Sequence, residues 1–117
     1  MTSPRRPRQV GQYEVIQDFQ TSGLSIRIIR MDLATAAIGR HVHHKCEQVY
    51  VVMEGEVTVL RGDERLELGL HDVAAIPHGV PHGAFPRQGN AVVMNISTPP
   101  LDPDDQVPDI RTQEGGG

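Results

Sequence analysis

The segment His41-Val42-His43-His44-Lys45-Cys46-Glu47 decides how this chain is interpreted. Side chains two residues apart on an extended strand point to the same face, so His41 and His43 can aim at one point. Glu47 has the same parity and points to the same face if the three intervening residues continue the extended strand. Imidazole nitrogen and carboxylate oxygen are donors that borderline divalent metals take from proteins. The segment therefore predicts one metal ion inside a β-structure.

Short strands separated by turns account for the middle of the chain. No ten-residue stretch keeps a helical period without a Gly, Pro or β-branched interruption. Ile28 and Ile29 break the alternation of the first strand, as a bulge would. Evenly spaced strands with turn signals predict an all-β barrel or sandwich. The predicted strands cover residues 24–28, 49–53, 57–60, 65–68, 73–76 and 91–96.

Composition limits the classes of partner and compartment. The formal charge of −4 over 117 residues argues against nucleic acid as a partner, because phosphate binding needs a concentrated basic face. No apolar run approaches the roughly 20 residues of a membrane helix. Cys46 is the only cysteine, which indicates a reducing cytoplasm. Aromatic residues are scarce and the core is modest, so we expect burial to be completed in a homodimer.

Three regions follow from the same composition. Residues 1–9 are polar and Pro-interrupted, which predicts a flexible N-terminal tail. Residues 10–98 form the predicted barrel domain. Residues 99–117 alternate Pro with Asp, a composition that predicts an irregular strap or a disordered tail rather than a strand or helix.

A second histidine segment follows at the distance needed to return across a barrel. Pro77 ends a strand, and Gly79 permits a tight loop. Pro81 fixes the backbone before His82, which becomes the candidate fourth ligand.

Together these segments resemble the cupin superfamily of small single-domain jelly-roll barrels. The first cupin motif is His-x-His, three or four residues, then Glu, leading into a strand that ends in Glu-Gly-Glu, here residues 54–56. The second motif is Pro-x-Gly-x-x-His, and the resemblance covers roughly residues 24–98. It implies an antiparallel double-stranded β-helix with one divalent metal inside. The implied ligands are His41, His43, Glu47 and His82.

The chain departs from the family pattern at three positions that are not ligands. The family usually has Gly at the positions of Thr35 and His71, and often Asn at the position of Pro86. These departures concern local turns.

Further predictions concern residues on and near the two histidine motifs. Val49, Val51 and Met53 share the parity of Glu47 and should line the cavity, while Tyr50 should face outward. His78 is a weak candidate for a general acid near the barrel mouth. We expect His44 to face away from the site, Cys46 to be buried and His71 to lie on a surface turn. One of Arg27, Arg30 or Arg40 could hold a substrate carboxylate.

Four protein ligands leave one or two open positions on the metal, which is the requirement for catalysis. We therefore expect an enzyme that acts on a small oxygenated organic substrate, with no cofactor besides the metal. The resemblance favours iron(II) and oxygen-dependent oxidation of the dioxygenase type, with manganese, nickel, zinc and copper left open. Two alternatives remain. One is a Lewis-acid isomerase, lyase, cyclase or decarboxylase that needs no dioxygen, and the other is a non-catalytic module that binds a small ligand.

Overall fold

The computed structural model describes residues 8–10, 13–32 and 38–108. Within them the chain forms eleven β-strands and one short 3-10 helix, Pro103–Asp105, and contains no α-helix. No helix in this part of the chain is long and apolar enough to span a membrane. The strands are β1 (Arg8–Val10), β2 (Tyr13–Gln20), β3 (Ser25–Asp32), β4 (Ile38–His43), β5 (Glu47–Glu54), β6 (Val57–Arg61), β7 (Glu64–Leu68), β8 (Val73–Ile76), β9 (His82–Pro86), β10 (Asn90–Thr98) and β11 (Gln106–Pro108).

The strands make two antiparallel sheets. One sheet has six strands in the order β1-β2-β3-β10-β5-β8, and the other has five in the order β11-β4-β9-β6-β7. Strands distant in sequence lie side by side, as β3 and β10 do, which is the crossover pattern of a jelly roll. The predicted all-β, antiparallel double-stranded β-helix is confirmed.

Alternation along each strand sends one set of side chains between the sheets. On β5 the buried residues are Gln48, Tyr50 and Val52, and on β6 they include Val57 and Val59. Apolar side chains from both sheets form one core, and its Tyr50 also borders the polar end of the barrel interior. The remaining core members are Ile29, Met31, Leu68, Ala74, Ile76, Ala84, Ala91 and Val93.

Each predicted strand overlaps a strand of the structure, but the list was incomplete. β1, β2, β9 and β11 were not predicted. The irregularity expected at Ile28 and Ile29 lies in the partner strand: the register of β2 shifts between Val15 and Gln17, directly opposite those two residues. The pairing of β3 with β10 runs without a shift.

Two of the turns with left-handed backbone bear on the fold. Gly55, between β5 and β6, has φ 78°, and a Cβ there would lie 2.6 Å from the carbonyl oxygen of Asn90. His71 has φ 70°, a conformation that favours glycine, at the position where the cupin pattern usually has glycine. The histidine at the position where the cupin pattern has glycine therefore strains this turn. Thr35 lies outside the described residues.

Sheet structure extends beyond the predicted domain limits. β1 crosses the expected boundary between residues 9 and 10 and pairs with β2. β11 lies within the predicted tail 99–117 and pairs with β4, with Gln106 opposite His43 and Pro108 opposite His41. The expectation that this composition cannot form a ladder does not hold for β11, because β4 offers an edge to pair with. Residues 1–7 and 109–117 lie outside the described residues.

Candidate metal centre

Three histidines converge between the sheets. β4 supplies His41 and His43, and His82 begins β9, paired in register with His41. The ring centroids are 4.8 Å apart for His41 and His43, 4.4 Å for His41 and His82, and 5.4 Å for His43 and His82. All three side chains are buried, and a donor nitrogen from each lies within 4.8 Å of the other two. We call these residues the histidine triad.

The structure does not bring Glu47 to the triad. Glu47 is exposed at the start of β5, whereas its neighbour Gln48 is buried. Parity carries from one residue to another only along continuous extended backbone, and residues 44–46 form a bend between β4 and β5. The inward-facing set on β5 is therefore the opposite one from that predicted, and Gln48 takes the place expected for Glu47.

Gln48 presents its amide oxygen to the triad. Gln48 Oε1 lies 2.7 Å from His82 Nε2, while Gln48 Nε2 donates to Ser97 Oγ at 3.0 Å. Ser97 Oγ in turn donates to Asn95 Oδ1 at 3.2 Å. This buried network orients the amide, so the available donor set is three imidazoles and one neutral oxygen.

The orphaned nitrogens of His43 show that these residues fit a divalent metal. Neither ring nitrogen of His43 has a hydrogen-bond partner among the described residues, which is costly for buried polar atoms. Burial, reinforced by His41, lowers the pKa of His43 to about 4, so its ring is neutral at pH 7 and keeps a lone pair. His82 Nδ1 lies 2.9 Å from Val80 O, and an N–H donated there puts the lone pair of the ring on Nε2, the nitrogen that lies 2.7 Å from Gln48 Oε1.

A carboxylate from the C-terminal segment holds the bend between β4 and β5. Asp105 accepts hydrogen bonds from the backbone N–H groups of His44 and Lys45, each at 2.9 Å. Burial alone would raise the pKa of Asp105, but these N–H groups, Lys45 first, leave it lowered. Asp105 also lies 4.0 Å from His43 Nδ1 and forms, with His43 and Cys46, a second group of possible metal ligands. Cys46 is buried as predicted, and burial followed by Asp105 raises the pKa of its thiol.

A cavity of about 280 Å³, including its open mouth, adjoins the triad. Only about 20 Å³ of it is available to the centre of a water-sized molecule, far below the roughly 300–1,000 Å³ of ligand pockets, so a substrate would extend into the open mouth. The lining residues are Tyr13, Arg27, Ile29, His41, His43, Gln48, Tyr50, Asn95 and Leu101.

The predicted lining by Val49, Val51 and Met53 is wrong. None of the three lines this cavity, and Met53 is 41% exposed. Tyr50, expected to face outward, is 1% exposed and lines the cavity. Both errors have the same cause as the error at Glu47, because a one-residue change of phase moves a whole strand's side chains to the other face.

The remaining histidines lie outside the cavity. His44, His71 and His78 are all exposed, as expected for the first two. The loop that contains His78 is tied to β4, since the backbone N–H of Gly79 donates to His43 O at 2.6 Å. His78 does not line the cavity, and its role as a general acid stays a prediction.

Sequence reasoning missed several cavity residues and the carboxylate beside the triad. Gln48 had a signal: the cupin spacing allows four residues as well as three before the carboxylate position, and four residues lead to Gln48. Tyr13, Asn95 and Asp105 had none, because their places depend on which distant strands become neighbours.

The two facing sheets and the histidine triad define a double-stranded β-helix barrel with a polar pocket at one end. Residues 28–97 match the Cupin domain family, and the chain belongs to it. The family that the two histidine motifs predicted is confirmed.

Solved structures share this fold. The protein TT1209 from Thermus thermophilus is 28% identical over 74% of this chain and 81% of its own, with a TM-score of 0.66. KdgF from Halomonas sp. is 21% identical over 86% of this chain and 92% of its own, with a TM-score of 0.74. Pac13 from Streptomyces, described as a nucleoside dehydratase, is 10% identical over 91% of this chain and 88% of its own, with a TM-score of 0.73. No curated protein matches the sequence significantly.

Proposed function

We propose that this cupin is a divalent-metal-dependent enzyme that polarises an oxygen of a small organic substrate, as in elimination or isomerisation. One observation supports this most directly. Three histidine nitrogens lie within 4.8 Å of one another, and the neutral amide oxygen of Gln48 lies where the cupin pattern has a carboxylate.

The charge of the donor set favours Lewis-acid chemistry. Three imidazoles and an amide are neutral, so they would leave a bound divalent ion with its full charge. When bound, such an ion supplies polarisation of a carbonyl oxygen or stabilisation of an oxyanion. Imidazole donors suit zinc, iron, nickel and copper, and the choice among these metals, with manganese, remains a prediction.

The chain's own residues supply binding and orientation. His43 is neutral at pH 7 because its pKa is lowered to about 4, so its lone pair is available for a cation. Burial raises the pKa of Tyr50, so the hydroxyl stays protonated and acts as a hydrogen-bond donor rather than a base. Ile29 and Leu101 add apolar surface to the cavity lining.

Oxygen-dependent oxidation is the competing proposal, because three imidazoles also suit iron(II). Its dioxygenase form, the homodimer and the cytoplasmic location stay predictions from the sequence. The barrel itself accommodates elimination, since its fold neighbour Pac13 is described as a dehydratase. At 10% identity that likeness concerns the fold, and the proposal depends on the donor set.

Reconstitution tests the proposal. Protein stripped with a chelator would be loaded with Mn²⁺, Fe²⁺, Co²⁺ or Zn²⁺ and assayed anaerobically on a panel of small hydroxy and oxo compounds. We expect one bound ion per chain and turnover without dioxygen, both lost in His43→Ala and His82→Ala and kept in Glu47→Gln. Failure of the wild type to bind any of the four ions would overturn the proposal, and turnover only with dioxygen would establish the competing one.

A further inference from the structure

The wall of the cavity in the six-stranded sheet is a cross-strand row of polar side chains. Arg27 on β3 lies directly opposite Asn95 on β10, and Asn95 lies directly opposite Tyr50 on β5. All three line the cavity together with the triad residues His41 and His43. Since directly opposed residues are about 5 Å apart, the row spans about 10 Å, the length of a small organic molecule.

Among the described residues that line the cavity, one carries a permanent charge, and that charge is positive. Arg27 is the single Lys, Arg, Asp or Glu among these described lining residues. Asp18 lies opposite Arg27 on β2 but does not line the cavity. A guanidinium without an anion in its own cavity attracts one from solution, and its planar fork matches a carboxylate.

Arg27 is also weakly engaged within the cavity. Its side chain contacts the hydroxyl of Tyr13 through Nη1 at 3.4 Å, which is long for a charge-assisted hydrogen bond. Within the described parts of the chain the guanidinium makes no shorter hydrogen bond, so its remaining donors can turn to a ligand. Asn95 and Tyr50 offer neutral hydrogen-bonding groups along the same row.

We infer that the pocket binds a small carboxylate, whose acid group is held by Arg27 and whose neighbouring oxygen faces the triad and Gln48. This inference rests on the proposed function and narrows its substrate class to short hydroxy or oxo acids. Because Arg27, His41, His43 and Gln48 line the same cavity, an acid group held by Arg27 would bring a hydroxyl or carbonyl oxygen of the same molecule towards the histidine nitrogens.

The test measures glycolate and 3-hydroxybutyrate binding by NMR titration, with the matched neutral probe glycolamide. Arg27→Gln and Arg27→Lys are compared with Arg30→Gln, which removes the same charge from the exposed face of the same strand, where Arg30 pairs with Glu14 at 2.8 Å. We expect Arg27→Gln to weaken carboxylate binding at least tenfold and Arg27→Lys to restore part of it. Arg30→Gln should change it less than twofold, and glycolamide should bind at least tenfold more weakly than glycolate.

Metal affinity, measured on the same variants, separates the two proposals. Unchanged metal binding with equal carboxylate affinity in Arg27→Gln and wild type would overturn the inference and leave the proposed function standing. No carboxylate binding by metal-loaded wild type would overturn it as well. Arg27-dependent carboxylate binding in a protein that takes up no metal would support the role of Arg27 in carboxylate binding and overturn the proposed function.

Discussion

Replacement of Gln48 by Glu tests the donor set at the position where sequence and structure disagree. In metal-free protein the new carboxylate would be buried, since Gln48 is 3% exposed, and would lose the amide donor to Ser97 Oγ. The lost hydrogen bond costs about 1 kcal/mol. Keeping the acid protonated about three pH units above its ordinary pKa costs at most about 4 kcal/mol. We expect the metal-free unfolding free energy to fall by about 2–4 kcal/mol, or the Tm by about 8–20 °C.

The same substitution should strengthen metal binding. At a ligand distance of about 2 Å, a unit negative charge gains about 4 kcal/mol from a divalent ion even at the dielectric constant of water. Desolvation offsets part of this gain, so the expected result is at least tenfold tighter binding. Circular dichroism melts with chelator and with saturating Co²⁺, together with calorimetric titration, measure both effects.

Glu47→Gln is the matched control, one residue away and exposed. It should change stability by less than about 0.5 kcal/mol and leave metal affinity unchanged. Weaker metal binding in Glu47→Gln, with no change of affinity in Gln48→Glu, would refute the assignment of Gln48 to the site.

Three further predictions concern the turns and the buried histidine. His71→Gly should raise the unfolding free energy by about 0.5–1 kcal/mol in urea denaturation, because φ 70° strains a residue with a Cβ, and His71→Ala should bring no such gain. Gly55→Ala should lower it by about 2–4 kcal/mol, because the new Cβ would lie 2.6 Å from the carbonyl oxygen of Asn90; a neutral result would contradict the turn geometry. Burial, with a smaller effect of His41, lowers the pKa of His43 from 6.5 to about 4, so only the unfolded chain takes up this proton between those values. Metal-free stability should therefore be complete above pH 6.5 and fall by up to about 3 kcal/mol towards pH 4, with a smaller fall in His43→Ala.

Local patterns predicted an all-β barrel or sandwich and candidate histidine ligands, and the resemblance to cupins added the double-stranded β-helix. Alternation within β4 aims His41 and His43 at one face, and the loop chemistry of Pro77 and Gly79 places His82 at the start of β9. The direct pairing of His41 with His82 then follows from the fold.

The fourth ligand position could not be predicted by counting residues, because a bend interrupts the alternation of side chains between the two faces of the strand. Three residues, 44–46, separate β4 from β5, and side-chain parity cannot be counted through a segment that is not extended. The error at Glu47 therefore spread to Val49, Val51 and Met53. Asp105 was missed for another reason: its contact with the backbone of His44 spans 61 residues and depends on tertiary structure alone.

The most direct test is a crystal structure of the Co²⁺-loaded protein, with anomalous scattering measured on both sides of the cobalt absorption edge. We expect one anomalous peak within about 2.0–2.3 Å of a nitrogen from each of His41, His43 and His82, with Gln48 Oε1 beside it. A peak between His43, Cys46 and Asp105, or no peak near the histidines, would contradict this expectation.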